Sequence, residues 1–113
     1  MPIEILELDE AVTKVVLSGR IDIAGASAID LPMSVVGGSR NAVIVDLSAV
    51  EFMASLGLRT LVLAAKAIAR RQGRMVLLAP NPDVEQVIRV TGVDELIPIL
   101  FEEHLAVAAV KPA

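Results

Sequence analysis

The middle of the chain contains a strand, a loop and an amphipathic helix in succession, and this run constrains the fold more than any other segment. Residues 42–47 include Val-Ile-Val, a β-branched run that predicts a buried central strand. After a loop, residues 55–72 are predicted to form a helix, with Gly73 at a left-handed C′ position behind it. Apolar residues at helical spacing predict its buried face: Leu58, Leu61, Val62, Ala65, Ile68 and Ala69. A buried strand followed by a helix with one apolar face is the unit from which α/β domains are built.

Two strands and a helix are predicted before this run. Residues 3–8 and 12–17 are apolar runs that predict a β-hairpin with its turn at residues 9–11. Residues 24–36 are weakly helical, and Pro32 lies within them. Because proline removes a donor and clashes with the preceding turn, we expect two short helical pieces or one helix that starts late, with Pro32 in its first turn.

Strands and helices alternate in the rest of the chain. Residues 75–79 predict a strand, and Asn81 with Pro82 predicts the N-cap and first residue of the next helix. A short edge strand is predicted at residues 96–99, and a terminal helix at residues 101–110. The apolar faces predicted for these two helices consist of Val84, Val87 and Ile88, and of Phe101, Leu105 and Ala108.

The predicted order of elements is β-β-α-β-α-β-α-β-α. Strands that alternate with helices predict an α/β fold whose sheet is mixed but mostly parallel, with one antiparallel strand. We expect about five strands and about four helices in one domain over residues 1–113. A chain of 113 residues is long enough to bury a single core.

Composition narrows the classes of partner. Hydrophobic residues make up 55% of the chain, but only Phe52 and Phe101 are aromatic, which argues against stacking platforms for single-stranded nucleic acid. The net charge of −4 leaves no basic excess for a phosphate backbone, and the arginines of residues 70–74 are interpreted as a solvated helix end. The chain has no cysteine, no visible signal peptide and no apolar run of membrane-spanning length. We therefore expect a cytoplasmic protein that binds neither nucleic acid nor membrane and uses an exposed apolar patch for a protein partner.

No residue pattern favours an enzyme, a cofactor or a bound metal. His104 is the single histidine, and a solvated position on the terminal helix explains it. Cysteine nucleophiles, metal-spaced His or Asp clusters and the GxGxxG and GxSxG motifs are absent from the sequence. Asp46 follows a buried strand as in a response-regulator receiver, but the acidic pair and the lysine that a receiver needs are missing. We interpret Asp46 as a turn residue that accepts hydrogen bonds from loop amides.

Ser55 lies at a position that favours a phosphate. A hydroxyl at a helix N-terminus lies beside backbone N–H groups without intrahelical partners, at the positive end of the helix dipole. Judged alone, Ser55 is better explained as an ordinary N-cap, which contributes about 1 kcal/mol to a helix. The residues around it change that judgement.

The segment around Ser55 resembles the signature of STAS domains, and is most similar to that of bacterial anti-sigma factor antagonists. The family pattern is Asp-Leu-Ser-x-Val-x-Phe-Met-Asp-Ser-x-Gly-Leu, and this chain has Asp46-Leu47-Ser48-x-Val50-x-Phe52-Met53-Ala54-Ser55-x-Gly57-Leu58. One departure lies at the centre, where Ala54 replaces the family's acidic residue. The segment from Gly19 to Asp22 resembles a second family motif, although an N-cap role explains Asp22 equally well.

The resemblance implies a STAS domain that switches partners. The unmodified domain would bind an anti-sigma factor that is itself a serine kinase, and this kinase would use its own ATP and magnesium to phosphorylate Ser55. The phosphate adds about −1.5 to −2 charges, which would separate the complex until a PP2C-type phosphatase resets it. Gly57 would let the backbone approach a phosphate or a partner closely. The residues expected to bind the partner are Asp22, Phe52, Met53, Leu56, Gly57, Leu58, Arg59 and Leu63.

Two other STAS functions stay open at this point. The absence of a carboxylate at Ala54 is consistent with a phosphorylation-independent interaction module in a larger sensory or transport assembly. A nucleotide- or lipid-sensing domain ranks last, because the sequence offers no aromatic pocket and no phosphate-binding loop.

Overall fold

One antiparallel and three parallel strand pairs build a single sheet. The computed structural model describes residues 2–8 and 11–112, so the hairpin turn predicted at residues 9–11 lies mostly outside the described residues. The elements are β1 (Ile3–Glu7), β2 (Thr13–Ile21), α1 (Ile23–Ser39), β3 (Ala42–Met53), α2 (Ser55–Arg70), β4 (Arg74–Leu78), α3 (Pro82–Val90), α4 (Val93–Leu96), β5 (Ile99–Leu100) and α5 (Glu103–Val110). The strand order is β1-β2-β3-β4-β5, and β1 alone is antiparallel to its neighbour. The predicted α/β fold with a mixed, mostly parallel sheet is confirmed.

Helices cover the two faces of the sheet unequally. The helices α1 to α4 pack on one face over a core that includes Leu17, Val45 and Leu61. The other face is covered in part by α5, which packs against a smaller cluster around Ile44 and Val76. Residues 42–47 of β3 are buried on both faces, as expected for the central strand of a parallel sheet.

The first helix is continuous, so the predicted break at Pro32 is wrong. α1 has 17 residues, and Pro32 lies half-buried in its third turn. Proline there removes one intrahelical hydrogen bond. The helix nevertheless continues, because residues on its buried face pack into the core on both sides of the proline: Ala26, Ile29, Met33, Val36 and Gly37. Tertiary packing therefore outweighs the local preference of this segment.

The central strand is longer than predicted. We expected a loop after residue 47, but β3 runs on to Met53 because β2 extends beside it as far as Ile21. The pairing shifts register on both sides of Ser18-Gly19, and Gly19 has a φ of 77°, a left-handed conformation that glycine adopts readily. The extension brings Phe52 and Met53 directly to the start of α2.

Several predicted boundaries and faces near the C-terminus need correction. The last strand is confined to Ile99–Leu100, and Leu96 belongs to the single turn of α4. The predicted faces of α3 and α5 are wrong at Val87, Phe101, Leu105 and Ala108, which are exposed. α5 instead buries Ala106 and Val110 against the sheet. Asn81 is the N-cap of α3, as predicted, and its side chain accepts a hydrogen bond from the Val84 N–H at 2.8 Å.

The C-terminal end of α2 differs from the prediction in its details. Ala69 is exposed and Ala64 is buried, so the buried face is rotated slightly from the predicted one. The left-handed residue after the helix is Gln72, with a φ of 66°, whereas Gly73 is outside that region. Gly73 is needed for a different reason, because a Cβ at this position would lie 2.3 Å from the carbonyl oxygen of Asn41.

A candidate partner-binding and phosphorylation site

Ser55 is the first residue of α2, and its exposed hydroxyl is not the helix cap. The N-cap is Ala54, whose side chain has no hydrogen-bonding atom. The Ala54 carbonyl accepts hydrogen bonds from the N–H groups of Gly57 at 3.0 Å and Leu58 at 3.2 Å. The N–H groups of Ser55 and Leu56 therefore remain without an intrahelical acceptor, at the positive end of the helix dipole. This geometry removes the N-cap explanation of Ser55 and leaves its hydroxyl available for chemistry.

Three of the residues predicted to bind a partner lie in the core beneath Ser55. Met53 and Leu58 are almost fully buried, and Gly57 is buried between them. A Cβ on Gly57 would lie 2.6 Å from the Met53 sulfur and 2.7 Å from the Ile21 Cγ2 atom. Gly57 is thus explained by close internal packing rather than by the expected approach of a phosphate or partner. These buried residues hold the start of α2 against β2 and β3.

The other predicted residues reach the surface. Phe52, Leu56 and Leu63 are exposed by 40%, 45% and 54% respectively, and Arg59 is exposed beside them. The guanidinium of Arg20 lies over the Phe52 ring, 4.6 Å from its centroid, so a cation–π contact orients this aromatic side chain. Apolar and cationic groups therefore alternate around Ser55.

Asp22 lies at the same edge of the sheet as Ser55. A hydrogen bond of 2.8 Å from the Ala54 N–H to the Ile21 carbonyl joins the end of β2 to the start of α2. The half-buried Asp22 carboxylate accepts a hydrogen bond from the Gly25 N–H at 3.0 Å and is the N-cap of α1. Asp22 therefore acts as a helix cap, and it lies at the same edge of the sheet as Ser55.

Asp46 has a structural role away from Ser55. Its carboxylate accepts a hydrogen bond from the Ser48 N–H at 2.9 Å and lies 3.5 Å from the Lys14 Nζ atom. Lys14 also binds Glu103, and this hydrogen bond, with the charges of Glu103 and Asp46, raises the pKa of Lys14 although burial opposes the rise. Asp46 binds a backbone amide as predicted, but within a strand rather than a loop.

The described residues contain neither an evident metal site nor a membrane span. Over residues 2–8 and 11–112, no three His, Asp or Glu side chains lie close enough together to hold a metal ion. None of the helices in the same part of the chain is long and apolar enough to cross a membrane.

Sequence reasoning missed the contribution of α1 to this surface. A groove beside Ser55 is lined by Leu56, Arg59 and Leu63 from α2, and also by Ile23 and Asp30 from α1. Ile23 is exposed by 73%, more than Leu56 or Leu63. A usable signal was present, because Asp30 is the one charged residue in an otherwise apolar and small-residue helix.

Comparisons with known proteins place this geometry in a family. The sequence model described as the STAS domain matches residues 4–108. BtrV of Bordetella bronchiseptica, named as a candidate anti-sigma factor antagonist, is 30% identical over 98 residues, which cover 86% of this chain and 84% of BtrV. The crystal structure of an anti-sigma factor antagonist from Mycobacterium paratuberculosis is 34% identical with a TM-score of 0.82, and the match covers 96% of this chain and 93% of that one. Unphosphorylated SpoIIAA, at 20% identity, a TM-score of 0.80 and 95% coverage of both chains, shares the fold. The chain belongs to the STAS domain family.

Proposed function

We propose that this STAS domain is an anti-sigma factor antagonist, which binds an anti-sigma factor with serine kinase activity and is released when Ser55 is phosphorylated. The observation that carries the proposal is the exposed Ser55 hydroxyl at the first position of α2, beside unpaired N–H groups and within the family signature. BtrV and the mycobacterial relative, which both carry the description of anti-sigma factor antagonist, support the role. The switch would operate in the cytoplasm, where ATP and the transcription machinery are present.

This chain supplies the acceptor and its positioning. The Ser55 oxygen attacks the γ-phosphorus of ATP held by the kinase, the bond to ADP breaks, and the hydroxyl proton passes to a base of the kinase. The buried residues Met53 and Leu58, with the hydrogen bond between Ala54 and Ile21, keep the acceptor in place. Catalysis of phosphoryl transfer consists mainly of positioning the reacting groups and stabilising their charge. In this proposal the kinase does both, because it holds ATP and magnesium.

Release follows from the charge that the phosphate adds. Phosphorylation brings about −1.5 to −2 charges to a surface that the partner covers. Arg59 lies four residues after Ser55 on α2, and an acidic group at position i attracts a base at position i+4 of a helix. The phosphate therefore competes with the partner for Arg59 and repels acidic groups of the partner.

The proposed docking face combines exposed residues of α2 and the end of β3: Phe52, Leu56, Arg59 and Leu63. Leu63→Glu places a charge in its apolar part without disturbing the core, so we expect the Kd for the kinase to rise about tenfold or more. Leu31→Glu, at a position on α1 that is exposed by 72%, is the matched control. Unchanged kinase binding by the Leu63 variant would show that the face is wrong.

A second function is favoured by Ala54. The family's carboxylate at this position would help to orient the acceptor or the metal, and Ala54 removes it. The alternative is a phosphorylation-independent STAS module that binds a partner without becoming a substrate.

One experiment separates the two functions. The protein is incubated with ATP, magnesium and the host's anti-sigma kinase, and intact mass is measured for the wild type, Ser55→Ala and the control Ser48→Ala, which changes a second exposed serine of the same signature. We expect one phosphoryl adduct on the wild type and on Ser48→Ala, none on Ser55→Ala, and its removal by a PP2C-type phosphatase. Tight binding without an adduct would establish the module instead, and neither binding nor adduct would refute both functions.

A further inference from the structure

A groove runs along the exposed side of the helix pair α1 and α2 and reaches the edge where Ser55 lies. It consists of two adjoining cavities of about 260 and 440 Å³, which share Asp30, Thr60 and Leu63. At one end, Gly37 allows the helices to approach closely, since a Cβ there would lie 3.0 Å from the Ala64 Cα atom. At the other end the groove is lined by Ile23 and Leu56, one residue after Ser55.

Large apolar side chains form part of the groove lining and are exposed. Ile23, Leu56 and Leu63 are three large aliphatic side chains that line one continuous depression while remaining open to solvent. Contiguous exposed apolar surface of this kind marks interaction sites more often than scattered exposed residues do.

The two walls carry opposite charges that have no ion-pair partner within the described residues. Asp30 is the one charged residue of α1, whereas the charged residues of α2 are all cations, with Arg59 lining the groove. Neither Asp30 nor Arg59 takes part in any ion pair formed by residues 2–8 and 11–112. The one hydrogen bond that the Asp30 side chain forms within these residues is long, at 3.5 Å, and the Thr60 hydroxyl donates it. Charges left without a counterion beside an apolar groove favour a partner that carries the complementary pair.

We propose that this groove binds an amphipathic helix of the anti-sigma kinase, with a Lys or Arg opposite Asp30, an Asp or Glu opposite Arg59, and apolar side chains one turn apart against Ile23, Leu56 and Leu63. The inference rests on the proposed function and specifies how the partner is recognised. A helix fits better than an extended segment, because along the groove the backbone groups of α1 and α2 are engaged within their own helices, apart from the first N–H groups of α2. An added strand would therefore find no row of N–H and C=O groups to pair with, whereas a helix satisfies its own.

Docking in this groove also explains why Ser55 is the acceptor. The groove ends at Ile23 and Leu56, so a helix lying in it places the body of the kinase beside the Ser55 hydroxyl. The acidic group that faces Arg59 then lies near the new phosphate, which repels it after transfer. Recognition and release thus depend on the same pair of charges.

The test compares charge reversals in the groove with a matched change outside it. The Kd for the kinase is measured for the wild type, Asp30→Lys, Arg59→Glu and the control Leu31→Lys, which adds a lysine next to Asp30 outside the groove lining. Because these positions are exposed, we expect all variants to fold, as checked by thermal unfolding. Each groove variant should bind about tenfold more weakly or worse, with the control within about twofold of the wild type.

A photoreactive residue at Ser27, an exposed position of the groove, identifies what occupies it. We expect crosslinks to an amphipathic helix of the kinase, and reversal of that helix's basic residue to Glu should restore binding to Asp30→Lys. If the wild type is phosphorylated at Ser55 and both groove variants bind the kinase with unchanged affinity, the groove is not the binding site. That result would leave the proposed function intact. Crosslinks to a strand or loop, or none despite binding, would overturn the helix, and absence of both binding and phosphorylation in the wild type would overturn both proposals.

Discussion

The two ends of α2 differ in how their terminal backbone groups are hydrogen-bonded. At the N-terminus, the cap residue Ala54 offers no side-chain acceptor, and the exposed Ser55 begins the helix. At the C-terminus, Arg71 donates hydrogen bonds to the Asn41 side chain at 3.1 Å and to the Gly37 carbonyl at 2.8 Å, and also to the carbonyls of Arg40 and Ala67. One arginine therefore satisfies carbonyls at the ends of both α1 and α2, where a cation also complements the helix dipoles.

The C-terminal end of α2 is stabilised by hydrogen bonds within the chain, whereas the N-terminal end at Ser55 keeps groups available for a partner. At the C-terminal end of α2, Arg71 and Asn41 are paired within the chain. The end at Ser55 retains free N–H groups and exposed apolar side chains, and its Arg59 forms no ion pair with any residue that the structure describes. A surface that binds a partner must leave such groups unsatisfied in the free protein. Substitutions at the two ends should therefore affect different properties, stability at one and partner binding at the other.

The largest effect on stability is expected at the C-terminal end of α2, from Gly73→Ala. The new Cβ would lie 2.3 Å from the Asn41 carbonyl oxygen and 2.7 Å from the Ile68 Cγ2 atom. The same Asn41 carbonyl accepts a hydrogen bond from the Arg74 N–H at 2.7 Å, so it cannot move without disturbing the start of the β3–β4 pairing. We expect a loss of about 3 kcal/mol in the free energy of unfolding, measured by urea denaturation.

Gly38→Ala is the control for that substitution. A Cβ on this helical glycine would lie in open space, with no atom within 4 Å. Alanine there should stabilise the protein by about 0.4–1 kcal/mol, because it restricts the unfolded chain. A loss at both glycines, or at neither, would show that the close approach of Asn41 is not what requires Gly73.

Gly57→Ala tests the N-terminal end of α2. We expect it to lower the free energy of unfolding by about 2 kcal/mol, less than Gly73→Ala does. Its Cβ would meet side-chain atoms of Met53 and Ile21 rather than backbone, and side chains can shift. Once folded, the variant should bind the kinase as the wild type does, because Gly57 is buried. Wild-type stability combined with lost kinase affinity would instead support direct contact of Gly57 with the partner.

Arg71→Ala should cost about 1.5 kcal/mol in the free energy of unfolding, a value at the low end for hydrogen bonds to a charged group because Arg71 is exposed. Arg70→Ala is the matched control, since the neighbouring Arg70 is exposed and should contribute less than about 0.5 kcal/mol. Both variants should be phosphorylated at the wild-type rate, because neither residue lies near Ser55. Equal stability of the two variants would mean that Arg71 does not join the helix ends.

Local sequence signals predicted the elements of this fold, except for the single turn of α4, but not how far they extend. The strand and helix around Ser55 follow directly from β-branched residues and helical spacing, and Asn81 with Pro82 marked the start of α3. The continuity of α1 through Pro32 depends on packing against α2, which no local pattern contains. The extension of β3 likewise depends on β2, a strand that is distant in sequence.

The site shows the same division between local and tertiary information. The signature located Ser55 and the exposed Phe52, because motif residues are recognised from their order alone. It could not separate Gly57, which is held by internal packing, from residues that face solvent. The role of Asp30 was missed because the groove exists only where α1 and α2 pack together.

Ala54→Asp would give the N-terminal end of α2 a side-chain cap. Among the four substitutions predicted to change stability, controls aside, it should have the smallest effect. Aspartate at the N-cap can accept a hydrogen bond from an N–H of the first turn and lies at the positive end of the dipole, so we expect a gain of about 1 kcal/mol in unfolding free energy. A carboxylate beside Ser55 should also speed phosphorylation, because it helps to orient the acceptor or the metal of the kinase. Ala54→Asn supplies the cap without the charge and should share the gain in stability but not the gain in rate. Equal rates for both variants would show that the missing acidic residue matters to this chain as a cap and not as a part of phosphoryl transfer.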